Sequence, residues 1–182
     1  MFLKRFFSKK QDDTIAHLLY VVLAGQARAP EFYRHGGVPD SLDGRFDMLA
    51  LHLFLVLRRL GGIQAGGADL AQHLFDVMFG DMDRSLREMG VGDLTVGKRI
   101  RAMSEAFYGR VAAYETGLQA DDDDATLMAA LARNLYRGNP PAPSKLARMA
   151  SYMRAAAAAL AQQSSEDYLA GQVQFPPPPG FV

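Results

Sequence analysis

At 182 residues the chain is sized for one domain, and its 20 Lys+Arg balance 20 Asp+Glu for a formal net charge of zero. It has no cysteine, which excludes disulfides, thiolate catalysis and Cys-type zinc sites. The neutral balance gives no electrostatic draw toward nucleic acid, and no apolar run is long enough for a transmembrane helix, so a cytoplasmic protein is expected.

Residues 1–10 combine four basic residues with Phe2, Leu3, Phe6 and Phe7. They have the charges of a signal peptide without its continuous apolar region or cleavage site. Two readings stand: an interfacial anchor, with Phe2, Lys4, Arg5, Phe6 and Phe7 in contact with an anionic membrane, or a terminus whose phenylalanines dock on the domain. Residues 1–13 are expected to be a flexible basic and aromatic segment, and 14–170 the folded domain.

Asp12 and Asp13 resemble a cap for a helix from Thr14 to about Arg28, where Ile15, Leu18, Leu19, Val22 and Leu23 make one buried stripe. Pro30 stops it. Residues 30–44 form a loop by their Gly, Pro and Asp content. That loop concentrates Phe32, Tyr33, Arg34 and His35, which are either recognition side chains or pins to the core.

A helix follows over 47–60. Between Met48 and Leu57 every residue but His52 is apolar. A helix apolar all round and half the length of a bilayer crossing belongs at the centre of a soluble domain. Gly61 and Gly62 close it, with Arg58 and Arg59 suited to its C-terminal dipole. After a Gly-rich linker to Gly67, Leu70, Leu74, Val77 and Met78 mark a third helix that Gly80 kinks or interrupts, with a second segment running to Gly90. Gly90-Val-Gly-Asp93 is a turn. A fourth helix spans about Thr95 to Tyr114, with Ile100, Met103, Phe107 and Val111 on one side.

Asp121 to Asp124 are read as dipole complements to a fifth helix, Ala125 to Tyr136, because four adjacent carboxylates make a poor metal cage. A Pro-rich breaker ends at Pro143. Ser144 caps a sixth helix reaching about Gln163, and Ser164 to Ala170 add a turn or two. Residues 171–182 form a Pro-rich tail, either a polyproline II ligand or a disordered end. The whole reads as an all-α, single-domain bundle of about six to seven helices around the buried helix 47–60.

Chemistry finds little foothold. His52 is a core histidine or a buried base. His73 and Asp76, with Asp69, share a helical face at ligand-like spacing, but metal sites need ligands from elsewhere in the chain. There is no P-loop, dinucleotide fingerprint, nucleophile elbow or EF-hand, so no catalytic residue, metal or cofactor is assigned. Two features suit protein contact instead. Arg84, Arg87, Glu88 and Asp93 surround the Gly90 turn, as salt bridges on a solvated face or as a contact surface. Met78, Met82, Met89 and Met103 fill a core or border an adaptable groove; Met78 and Met103 suit the core, and Met82 and Met89 stay open.

The stretch Gly37-Val-Pro-Asp-Ser-Leu-Asp-Gly-Arg-Phe-Asp-Met-Leu-Ala-Leu-His-Leu-Phe-Leu-Val-Leu-Arg-Arg-Leu60 resembles the signature of the ubiquinol–cytochrome c chaperone family. So do residues 74–98, and Ala106-Phe-Tyr-Gly-Arg-Val-Ala-Ala-Tyr114 continues the likeness. The resemblance spans roughly 15–160. It implies an all-α, non-enzymatic assembly chaperone for respiratory complex III that binds newly made cytochrome b. In mitochondria a small helper protein and the ribosome join it. This chain is without the long targeting extension of mitochondrial members and looks like the shorter alphaproteobacterial form, which puts the helper and the ribosome in doubt here. The face expected to work is the cytoplasmic side of the inner membrane. The expected contact residues are Phe32, Tyr33 and Arg34, with Arg84, Arg87, Glu88 and Asp93. Two alternatives remain: a metal-dependent enzyme using His73 and Asp76, perhaps with His52, and a lipid-surface protein worked by residues 1–10.

Overall fold

The computed structural model describes residues 2–180, with side chains from Asp12 onward. The backbone is all helix and connection: α1 (Phe2–Ala27), α2 (Pro30–Arg34), α3 (Leu42–Gly61), α4 (Gly67–Glu88), α5 (Asp93–Gln119), α6 (Ala125–Asn134), α7 (Pro143–Gln162) and α8 (Ser165–Leu169). No strand occurs among the described residues. The expected six to seven helices are six of ten residues or more and two single turns.

Helix α3 is the centre, and its side chains from Phe46 through Val56 are all buried, His52 and Asp47 among them. Ser41 caps it, accepting a hydrogen bond from Gly44 N at 3.1 Å. Around α3 pack α1, α4, α5 and α7, with α6 bridging α5 to α7. A single continuous core results.

Several boundaries differ from expectation for local reasons. Helix α1 begins at Phe2, so Asp12 and Asp13 lie inside it rather than capping it. Gly80 does not break α4; a Cβ there would meet nothing, so the position is merely an exposed helical glycine. Ser144 is not the cap of α7, because Pro143 already occupies the first turn, where its missing N–H costs nothing. Ser164 does cap α8.

Two further corrections concern segments expected to be loose. Within 30–44, Pro30 opens the one-turn helix α2, and Phe32 is fully buried. The tail lies on the domain at least to Pro176: Gln26 Nε2 donates to Pro176 O, Gln163 exchanges two hydrogen bonds with the Gln174 backbone, and Phe175 meets the His52 ring edge-on.

The acidic run works locally. Asp122 accepts from Thr126 N at 3.0 Å, at the head of α6, and Asp124 pairs with Arg154. Arg154 also donates to the carbonyls of Gly117, Leu118 and Ala120, satisfying the C-terminal end of α5.

Candidate functional site

Helix α5 sits on α3 and α4 without sealing against them. Its N-terminal half buries only Val96 before Phe107. A groove of about 560 Å³ opens between the start of α3, the end of α4 and this half of α5. Phe46, Met82 and Leu86 form its buried floor. Leu42 and Met89, about half exposed, stand at the rim, and Met103, Ala102 and Ala106 form the α5 wall. The volume lies within the roughly 300–1,000 Å³ range of ligand pockets. Methionine side chains, unbranched and polarizable, let such a surface repack around different apolar partners.

One end of the groove is charged. Asp47 is fully buried and accepts from Arg110 Nη2 at 2.6 Å and from Arg137 Nε at 2.6 Å. Burial raises the Asp47 pKa, and the hydrogen bond and charge of Arg137, with those of Arg110, oppose that rise. Arg137 sits at φ 51° and reaches Asp43 as well. Arg110 lies over the Phe46 ring and donates from Nη1 to Ala106 O. Its Nε is buried with no partner among the described residues. Sequence reasoning missed this cluster, whose members lie 63 and 90 residues apart. The available signal was Asp47 itself, a carboxylate opening an otherwise apolar helix.

Met82 and Met89, left open between core and groove, line the groove. Met78 is fully buried core, and Met103, expected in the core, lies on the groove wall. Arg84, Arg87, Glu88 and Asp93 are not among the groove's lining residues, which at this end of α4 are Ser85, Leu86 and Met89. Arg87 grips Asp83 through two nitrogens and pairs with Asp93 across the Gly90 turn, while Arg84 lies 3.9 Å from Asp81. These charges mostly hold the α4–α5 turn together. They are exposed pairs of the kind worth about 0–1 kcal/mol.

Phe32 has no surface to offer, packing T-shaped on His52 and Tyr152. Tyr33 donates to Ala27 O, and burial raises its pKa to about 12. Tyr33 and Arg34 border a smaller hollow with Arg28 and Arg45, which shares no lining residue with the groove. The side chains of Phe2, Lys4, Arg5, Phe6 and Phe7 lie outside the described ones.

His52 is enclosed. Its Nδ1 bonds Met48 O at 2.8 Å, its Nε2 bonds the Tyr152 hydroxyl at 2.8 Å, and that hydroxyl accepts from Gln26. Desolvation lowers its pKa to about 4, so it is a neutral core imidazole rather than a base open to substrate. His73 and Asp76 are not brought to a common ligand set. His73 faces Asp13 at 2.9 Å, and Asp76 accepts from Gln72. No group of three or more His, Asp or Glu side chains that could hold a metal occurs among the described residues. Nor is any helix among them long and apolar enough to cross a membrane.

A family model described as "Ubiquinol-cytochrome C chaperone" matches residues 34–175. The chain is 30% identical over 148 residues to "Ubiquinol-cytochrome-c reductase complex assembly factor 1" of Xenopus laevis, covering 81% of this chain and 73% of that protein. The human protein of that name is 26% identical over 172 residues, which is 94% of this chain and 57% of the human one. A solved structure, "Crystal structure of the Cbp3 homolog from Brucella abortus", superposes with a TM-score of 0.82 at 38% identity over 96% of both chains. The match over most of its length places this chain in the ubiquinol–cytochrome c chaperone family.

Proposed function

We propose that the protein is a non-catalytic assembly chaperone for the ubiquinol–cytochrome c reductase complex that holds newly made cytochrome b. The observation that carries this reading is the methionine-lined groove between α3, α4 and α5. A membrane-protein client exposes apolar helix faces before assembly, and such a face, laid in a groove, inserts side chains at i, i+3/i+4 and i+7. Membership of a family whose relatives are named complex assembly factors supports it. Holding a client needs no turnover, and none is assigned.

Leu42→Glu with Met89→Glu tests the reading, since both side chains are about half exposed and their change leaves the core intact. The expected outcome is loss of cytochrome b from the purified protein and less assembled complex, with the melting temperature within a few degrees of the parent. Undiminished complex in a deletion strain would refute the function outright.

A membrane surface is a second partner, and α1 supplies its observation. Leu18, Val21 and Val22 are exposed on one face of the helix that begins with the basic and aromatic segment. Contact at the cytoplasmic face of the inner membrane would cover them. Flotation with anionic liposomes should weaken on deleting residues 1–10 and again with Val21→Asp. Unchanged flotation rejects this contact.

A further inference from the structure

We propose that the hollow between α1, α2 and α3 binds the phosphate of an anionic phospholipid headgroup, with Arg28, Arg34 and Arg45 as its donors. This deepens the membrane-contact reading and rests on it. Three elements converge there: Arg28 stands just past the end of α1, Arg34 ends α2, and Arg45 lies in the first turn of α3. The hollow is about 250 Å³. That is below the roughly 300–1,000 Å³ of sites that enclose a whole ligand, and it suits a headgroup. The Tyr33 phenol forms part of the wall, donating to Ala27 O at 2.7 Å. Charges on both Arg45 and Arg28 reach that phenol, so the guanidiniums surround a common space.

Charge selects the ligand. Three guanidiniums line the hollow against one carboxylate, Asp40, which Arg45 Nε already holds at 2.7 Å. Neighbouring acids do not restore the balance. Asp43 pairs with Arg137, Asp81 is held by the Tyr20 hydroxyl and Arg84, and Glu31 lies outside the lining. Arg28 and Arg34 make no ion pair with a described residue. The planar fork of a guanidinium matches phosphate oxygens through paired N–H donors, and that bond is charge-assisted.

Position selects the source of the phosphate. Arg28 N bonds Ala24 O, so Arg28 continues the helical path of α1. It lies two turns, about 10 Å, beyond Val21 on the same side. Leu18, Val21 and Val22 are exposed, and Gly25, between them and Arg28, has open space around it. An apolar strip ending in arginines is the arrangement of an interfacial helix, with apolar side chains at the acyl boundary and cations among the headgroups. A free phosphate would use the arginines and leave the strip uncovered.

The test floats the intact protein with phosphatidylcholine vesicles, with and without phosphatidylglycerol. Flotation should follow phosphatidylglycerol, and Arg28→Gln with Arg34→Gln should lower partitioning about tenfold. Arg101→Gln with Arg133→Gln removes the same charge from α5 and α6, outside the hollow, and should lower it less than about twofold. Both double variants should melt within a few degrees of the parent. In solution, monomeric dihexanoylphosphatidylglycerol should shift the side-chain N–H NMR signals of Arg28 and Arg34 saturably, and inorganic phosphate at equal concentration should shift them less.

Equal loss in the two double variants, or no loss in either while flotation persists, overturns the headgroup site and leaves the membrane contact standing. Equal NMR shifts from inorganic phosphate overturn it too, in favour of a free-anion site. Flotation with neither kind of vesicle overturns the membrane contact and the headgroup site with it.

Discussion

His52 and Tyr152 show how much of this chain's chemistry is spent on its own core. The imidazole is fully enclosed and its two nitrogens are both used, one on Met48 O and one on the Tyr152 hydroxyl. The folded pKa of about 4 lies below the unfolded value of 6.5. The unfolded chain therefore takes up the proton first as pH falls. Stability from this residue is complete above about pH 6.5 and declines from there to about pH 4, by about 3 kcal/mol in all. Urea titrations across that window should show the decline, and a His52→Gln protein should show it flattened. Tyr152→Phe should cost about 1–3 kcal/mol, because it leaves the imidazole Nε2 buried without a donor. At Asp47 the stake is larger. Asp47→Asn leaves Arg110 sheltered without its counter-charge, and a loss of about 3–5 kcal/mol is expected in the same titration. None of these partnerships was legible in the sequence. His52 stood out as polar within an apolar run, but nothing local signals a tyrosine 100 residues away.

At the scale of elements the sequence was more open. The long helices broadly follow their apolar stripes, except that Leu18 and Val22 of the α1 stripe, expected to be buried, are exposed, and α3 ends at Gly61 and Gly62 as expected. What escaped was short or context-dependent. A five-residue helix such as α2 has too few residues for periodicity to register, and its composition is that of a loop. The expected break at Gly80 failed because an isolated glycine costs a helix only about 1 kcal/mol, which packing of Met78, Phe79 and Met82 outweighs. Glycines in α5 separate these effects. Gly109 is exposed with open space around it, so Gly109→Ala should stabilise by about 0.5–1 kcal/mol. At Gly117 an added Cβ would lie 2.7 Å from Leu127 Cα, where α5 crosses α6. Backbone cannot yield there as a side-chain tip does. Gly117→Ala should therefore destabilise by about 1–3 kcal/mol despite the better helix former. Thermal melts of the two variants, shifted in opposite directions, check both statements.

Taken whole, the molecule is a helix bundle whose buried polar groups are mostly spent on structure, with an apolar groove of about 560 Å³ beside the first half of α5 and a second hollow of about 450 Å³ lined by Phe54, Phe75 and Phe107. The all-α class followed from the pattern of helical stripes. The groove did not, because it arises from how incompletely α5 seats on α3 and α4. Met82 and Met89 were visible as candidates, whereas the Asp47–Arg110–Arg137 cluster needed the fold to bring it together. The Arg84, Arg87 and Asp93 charges, conspicuous in sequence, are mostly turned toward their own turn.

If a complex client lies in this groove, photocrosslinking in growing cells detects it there. A benzophenone side chain placed at Met89, on the groove rim, should capture cytochrome b during assembly. The same probe at Glu166, on α8 beyond the opposite end of α3, should not. Equal capture from both positions, or capture from Glu166 alone, would contradict that placement.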